Sequence, residues 1–204
     1  NEGFTTTPRA ECAGGVKPVF WTDDAATGGN AVRAGTLSCT PRTAQTVAFT
    51  STKPASAVVG QTYAATASGG ASGNPVVLSV APAPAGACTI AGGTVAFRHP
   101  GTCVVTADQA GNDDYTAGTA SQSVTISRAT TTTGAVTVTS GSVSATVSSV
   151  APGAGLPTGS VDFIVDGEVL GTAFLISGVA TLHEPVPTGG ARTIVASYLG
   201  DVDY

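Results

Sequence analysis

The residues able to do chemistry are few and far apart. Four cysteines (Cys12, Cys39, Cys88 and Cys103) and two histidines (His99 and His183) stand among 204 residues. Neither cysteine pair has the C-x-x-C spacing of a zinc ligand set or a redox motif. Four cysteines allow three pairings, and locality favours Cys12 with Cys39 and Cys88 with Cys103. Paired cysteines belong to an oxidising, extracytoplasmic setting. Closing a loop of about 15 residues this way stabilises a fold by roughly 3 kcal/mol, and a longer loop slightly more. A catalytic nucleophile needs a base and an orienting group within hydrogen-bond reach. His99 runs into Pro100-Gly101 and His183 into Glu184-Pro185, so the first reads as a turn residue and the second as a strand end. No G-x-S-x-G, H-E-x-x-H or G-x-x-x-x-G-K-[ST] motif occurs. Asp23-Asp24 is half of a general acid–base couple whose other half nothing supplies, and it reads as a solvated turn. The expectation is a chain without catalytic, cofactor-binding or metal site, with Cys12, Cys39, Cys88 and Cys103 as structural bridges.

Oxygen-rich turns raise the question of calcium, which takes six to eight oxygen ligands. Asp108, Asn112, Asp113 and Asp114 cluster in one stretch and Asp201 and Asp203 in another. The spacing is not D-x-[DN]-x-[DN]-G, so calcium near Asp108, Asp113 and Asp114 stays open. Leu156-Pro157-Thr158-Gly159 lacks the intervening residue of an LPxTG anchor and reads as the turn before a strand. Saccharide binding needs a row of exposed aromatics. With Trp21 the one tryptophan, four Tyr and six Phe, that reading ranks behind the others.

The elements that hold these residues follow from composition. Charged residues are 10% of the chain, and hydrophobic ones reach 42% with only 5% aromatic, so the apolar content is mostly Ala and Val. Low charge with abundant Val and Thr fits a β-rich fold; disorder needs high charge and little hydrophobicity. Eight basic residues against 13 acidic ones leave a net charge of -5, with no basic face for nucleic acid. No apolar run of about 18 residues occurs, so no membrane insertion is expected. The chain opens at Asn1 and contains no Met, which reads as a piece of a longer or processed protein.

Self-similarity sets the organisation. Ala107, Gly111, Asp114 and Tyr115 recur as Ala196, Gly200, Asp203 and Tyr204 at a constant spacing of 89 residues, each set preceded by a β-branched run. That period is the size of a small β-sandwich. The expected organisation is a segment at 1–42, one domain at 43–128 and a second at 129–204. Strands are expected at Gln45–Thr50, Thr62–Ala67, Val76–Val80, Thr94–Arg98, Thr102–Ala107 and Gln122–Ser127. In the second copy Val161, Phe163 and Val165 share one strand face, as do Ile194, Ala196 and Tyr198. Asp166-Gly167 is a strong hairpin signal and Ser177-Gly178 a weaker one. Thr130–Thr133 reads as the first strand of the second copy. Val16–Thr22 and Ala31–Leu37 read as two strands joined through Asp23-Asp24 and Gly28-Gly29-Asn30.

The first copy resembles bacterial Ig-like repeats of secreted and surface proteins through Gln45-Thr46-Val47-Ala48-Phe49-Thr50-Ser51, the stretch Ala65 to Val76, and Gly101-Thr102-Cys103. The second is similar to a related Ig-like group through Pro157 to Phe163, Asp166-Gly167, Leu170-Gly171-Thr172-Ala173 and Tyr198 to Tyr204. Residues 1–42 resemble the end of a phytase-like esterase β-propeller through Ala10-Glu11-Cys12, Pro18 to Asp24 and Arg33 to Cys39. The resemblance implies an all-β chain of tandem immunoglobulin-like antiparallel sandwiches, the second lacking its last strand. It implies a non-catalytic extracellular module pair, secreted or at a cell surface, that spaces or displays other domains or takes part in adhesion. Its partner would be an extracellular protein or glycan. The alternatives are the C-terminal portion of a secreted phytase-like hydrolase whose active site lies upstream, and a carbohydrate-binding accessory module. The strand that follows Tyr115 as Gln122–Ser127 has no counterpart after Tyr204. The strand near Ile194 is therefore expected to be an open edge, a site for strand-mediated self-association.

Overall fold

The computed structural model describes residues 4–8, 11–23 and 31–204. Asp24 and the Gly28-Gly29-Asn30 stretch of the expected turn lie outside these residues. The described chain is built of strands and turns. In order the strands are β1 (Phe4–Thr6), β2 (Val16–Asp23), β3 (Ala31–Ser38), β4 (Ala48–Phe49), β5 (Ala57–Val58), β6 (Thr62–Ala64) and β7 (Ala67–Ser68). There follow β8 (Val76–Ala83), β9 (Cys88–Ala91), β10 (Thr94–Phe97), β11 (Gly101–Gln109) and β12 (Gly118–Ser127). The last are β13 (Thr131–Thr133), β14 (Thr137–Val138), β15 (Val143–Ser149), β16 (Ser160–Val165), β17 (Glu168–Ile176), β18 (Val179–Leu182) and β19 (Ile194–Tyr198). They fall into two compact units. One holds Asn1–Thr50, Ala67–Val77 and Ala107–Ala120; the other holds Ser51–Thr66, Leu78–Thr106 and Ser121–Tyr204.

In the first unit β1, β2 and β3 form an antiparallel sheet with Phe4 opposite Trp21 and Trp21 opposite Arg33. The Trp21 ring lies over Gly35, where any Cβ would collide with it. Cys12 is bonded to Cys39, closing a separation of 27 residues around this sheet. The expected strand Gln45–Thr50 is reduced to the short ladder of β4 with β7. The residues before it are recruited elsewhere: Thr43 bridges to Tyr115, and the Gln45 side chain donates to the carbonyl of Ala110 and accepts from the Ser72 N–H.

The second unit contains antiparallel sandwich architecture of immunoglobulin-like kind. A sheet of order β6-β10-β9 faces one of order β5-β12-β11-β8, in which β5 runs parallel to β12. Val95, Phe97, Val105, Val124 and Ile126 fill the space between them, each at most 2% exposed. The disulfide from Cys88 on β9 to Cys103 on β11 joins these two layers. The sequence pattern alone puts it between neighbouring strands. It becomes an inter-sheet link because Cys88–Ala91 forms a strand of its own on β10, with Cys88 opposite Phe97. Across the sandwich the Tyr63 hydroxyl donates to Gln122 Oε1 at 2.8 Å and shares a hydrogen bond with Ser51 Oγ at 2.6 Å.

The remaining strands form one curled sheet of order β13-β15-β18-β17-β16-β19, with β14 also on β15. Strict alternation along β15 and β16 turns Val143, Ala145, Val147, Val161, Phe163 and Val165 inward. The β16–β17 and β17–β18 connections are two-residue hairpins at Asp166-Gly167 and Ser177-Gly178. All four residues have positive φ, at 51°, 94°, 52° and 80°, which matches the right-handed twist of the flanking strands.

Candidate functional site

The two histidines do not come together as a catalytic pair. His99 sits in a bend, and its Nδ1 meets both carboxylate oxygens of Asp203 at 2.8 and 3.0 Å. His183 follows the end of β18, beside Thr172 and Leu182 along the exposed face of the β17–β18 hairpin. Among the described residues no group of three or more His, Cys, Asp or Glu side chains is arranged to hold a metal ion.

The acidic turns have a structural task. Asn112 Oδ1 accepts from the backbone N–H groups of Asp114 and Tyr115, both at 2.9 Å. Asp201, which stands 89 residues later, accepts on Oδ1 from Asp203 and Tyr204 at 2.7 and 2.8 Å. In each copy the same backbone bond closes the corner, from Asn112 N to Tyr115 O and from Asp201 N to Tyr204 O. Both are Asx-type turns. Asp201 Oδ2 also accepts from the backbone N–H and the hydroxyl of Thr158. The Leu156-Pro157-Thr158-Gly159 stretch is thereby tied to the end of the chain, and the Tyr198 hydroxyl donates to the Thr158 carbonyl at 2.6 Å.

The electrostatics follow from these contacts. Burial works to raise the Asp201 carboxyl, but its four accepted hydrogen bonds outweigh it and hold the group below the usual value. Burial, reinforced by the neighbouring Asp201 charge, pushes the Tyr198 phenol up to about 12 and raises Tyr204 as well. Asp166 is lowered by the hydrogen bond from Arg192, at 2.7 Å, and by the Thr193 N–H.

One buried polar side chain was invisible in the sequence. Gln109, 3% exposed, accepts from the Gly70 N–H at 2.6 Å and donates to the Asn74 carbonyl at 2.7 Å. It fastens the 69–75 loop to the end of β11. Nothing in its sequence neighbourhood distinguishes it from an exposed strand-end glutamine.

Surfaces remain as the places where this chain can meet something else. Trp21 is half-exposed and joins Phe4, Phe20 and Val32 around a shallow apolar depression on the three-stranded sheet. On the curled sheet Phe174 and Ile176 are 78% and 77% exposed. Val169, Ile164 and Val195 lie in one cross-strand row of its outer face. At the end of that sheet β19 pairs with β16 and, among the described residues, with no other strand.

No family model matches the chain, and no curated protein matches it. Among solved structures it is similar to a protein described as Sidekick-1 immunoglobulin domains 1-5, at 13% identity and a TM-score of 0.33. The match covers 91% of this chain and 45% of that one. At that distance the strand order and the buried faces described above carry the description of the fold.

Proposed function

We propose that this chain is a non-catalytic, extracellular pair of immunoglobulin-like modules, spanning 43–128 and 129–204, that spaces or displays another part of a larger secreted or surface protein. The observation that carries this reading is the joint inside the second unit. Only three residues, Arg128 to Thr130, separate β12 from β13, and the joint is fastened from several sides. Ala154 N–H donates to the Val59 carbonyl at 3.3 Å. His99 meets Asp203 across it. Gly60, at φ 86°, packs so closely on the Ala154 backbone that no side chain fits there. A fixed joint suits a spacer, which must transmit orientation. Closure of all four cysteines into disulfides supports an oxidising address.

NMR relaxation tests the joint: amides of 88–103 and of 160–180 should report one tumbling time in the native chain. Two tumbling times would overturn the spacer reading. The non-enzymatic part is tested with phosphoester and carboxylic ester substrates, where no turnover is expected. Turnover that is lost on replacing His99 or His183 would refute it.

A second reading is favoured by the three-stranded sheet. Its described side chains leave Phe4 and Val32 exposed at 66% and 69%, while Val19 is buried. Such a sheet has too small a core of its own, which supports placing 1–42 with a further domain of the phytase-like esterase kind. Titration with a separately expressed propeller of that kind should bury Trp21 and shift its fluorescence; an unchanged spectrum would refute it.

A further inference from the structure

We propose that the outer face of the curled sheet binds a neutral saccharide along one row of residues that crosses five strands: Thr137, Ser144, Thr181, Phe174 and Ser160. The register sets them side by side. Ser144 on β15 is opposite Thr137 on β14 and Thr181 on β18, and Phe174 on β17 is opposite Ser160 on β16. Leu175 lies opposite Ala180, and the same ladder carried one step further puts Phe174 beside Thr181. Four of the five stand next to a buried residue in the chain: Ser144 to Ala145, Thr181 to Ala180, Phe174 to Ala173 and Ser160 to Val161. Alternation therefore turns them outward. With strands about 4.8 Å apart, the row is about 19 Å long, the span of a short oligosaccharide.

The chemistry of the row selects the occupant. The inward row one position away, Leu175, Ala180 and Ala145, is apolar throughout, as a face that packs on another protein layer is. The outer row instead brackets one ring with hydroxyls. Phe174 is 78% exposed although β17 lies inside the sheet order. Other hydroxyls of this unit are spent internally: Thr172 donates to Asp162 Oδ1 at 2.6 Å, and Thr139 pairs with Ser142 at 2.8 Å. The hydroxyls of Thr137, Ser144, Thr181 and Ser160 have no such partner among the described residues. The negative face of a phenyl ring attracts the polarised C–H bonds of a pyranose, and open hydroxyls on both sides can donate to or accept from its hydroxyl groups. The flanks are graded in the same sense. Ile176 and Val179 form an apolar pair on one side, and Thr172 and His183 lie on the other. Together they line a depression of about 460 Å³ that no Asp, Glu, Lys or Arg borders. A charged ligand would find no counter-charge there, whereas a neutral one loses nothing. One ring stacks one sugar, and the hydroxyls beside it engage the neighbouring units, so a long aromatic row is not required.

The test is an NMR titration of the full chain with cellohexaose, maltohexaose and chitohexaose, and with an oligogalacturonate as the acidic counterpart. At least one neutral sugar should shift the amides of Ser144, Ser160, Phe174 and Thr181, and the acidic one none of them. Phe174→Ala should weaken binding about ten-fold and Phe174→Trp should retain it. Thr181→Val keeps the size of the side chain, removes its hydroxyl and should weaken binding about five-fold. Both positions are exposed, so these variants leave the core intact. Trp21→Ala, on the three-stranded sheet, should leave the affinity unchanged. Absence of shifts with all three neutral sugars would overturn the proposal, as would tighter binding of the oligogalacturonate. Binding lost in Trp21→Ala but kept in Phe174→Ala would do the same. So would sedimentation showing a dimer that Phe174→Ala dissolves, because a second copy would then cover the face. Any of these failures leaves the joint between the modules, and the spacer reading built on it, untouched.

Discussion

Replacing Asp201 by Ala removes the acceptor for four donors at one corner. Two are part-buried backbone N–H groups, of Asp203 and Tyr204, at 2.7 and 2.8 Å; the other two are the exposed N–H and hydroxyl of Thr158. A part-buried donor left without a partner costs about 1 kcal/mol and a donor that water can recover about half that, so Asp201→Ala should cost about 2–3 kcal/mol. Asp201→Asn keeps Oδ1 for the two backbone donors, as Asn112 does in the first copy, and sets an amide against the Thr158 N–H. Its cost should be about 1 kcal/mol. The two variants also separate charge from geometry. Because the folded Asp201 carboxyl lies below its ordinary value, its contribution is fully present above about pH 4 and is lost as pH falls through the lower folded value. The Asn variant lacks this acid-sensitive component. Hydrogen exchange of peptides covering 156–165 and 194–204, corrected for intrinsic rates between pH 3 and pH 7, measures both effects. The reasoning fails if Asp201→Ala and Asp201→Asn are equally destabilised, or if Asp201→Asn loses as much protection in acid as the native chain.

Gln109→Ala should open the 69–75 loop at a cost of about 2 kcal/mol, seen as faster exchange confined to 69–75 and 107–118; unchanged exchange there would refute the anchoring role. Peptide mapping without reductant should recover Cys12 linked to Cys39 and Cys88 linked to Cys103. Replacing Cys88 and Cys103 together by Ala should lower denaturant stability by about 3 kcal/mol; four alkylatable thiols in protein from its native compartment would contradict both the pairing and the address. A tyrosine absorbance titration should show one phenol ionising near 12, lost in Tyr198→Phe. Since its folded value is raised, the stability it contributes should be intact below about pH 10 and decline as pH rises toward the folded value.

How much of this was legible in the sequence depends on whether the signal was local. The hairpins at Asp166-Gly167 and Ser177-Gly178 were, because φ above zero at two successive positions demands such residues. The inward faces of β16 and β19 were, because alternation is a local pattern. Strand β9 was not. Cys88–Ala91 is four residues long with a broken apolar pattern, and only its pairing with Thr94–Phe97 makes it a strand. The retreat of Gln45–Thr50 to two paired residues was equally hidden, because the competing partners of Thr43 and Gln45 lie 27 to 72 residues away along the chain. The Tyr63–Ser51–Gln122 cluster and the burial of Gln109 depend on the same long-range meetings.

The recurring corner connects the legible part to the outer edge of β19. In a strand the period is two, so a slip of one residue would send Val195 and Ser197 inward and bring Ile194, Ala196 and Tyr198 out. Such a slip on β19 is resisted at both ends. The Asp201 corner, through Thr158 and the Tyr198 hydroxyl, fixes the C-terminal end. The Asp166 carboxylate fixes the N-terminal end, accepting from the Thr193 N–H at 2.9 Å and from Arg192. Alternation then leaves no freedom: once Tyr198 is held inward over the core, the backbone groups of Ile194, Ala196 and Tyr198 face away from β16. The polar contacts that keep the apolar side chains inside are therefore the same ones that aim the unpaired edge. In Asp201→Ala the two should loosen together, with exchange rising in 194–198 as the core amides of 160–165 lose protection. Loss of one without the other would separate the corner from the edge.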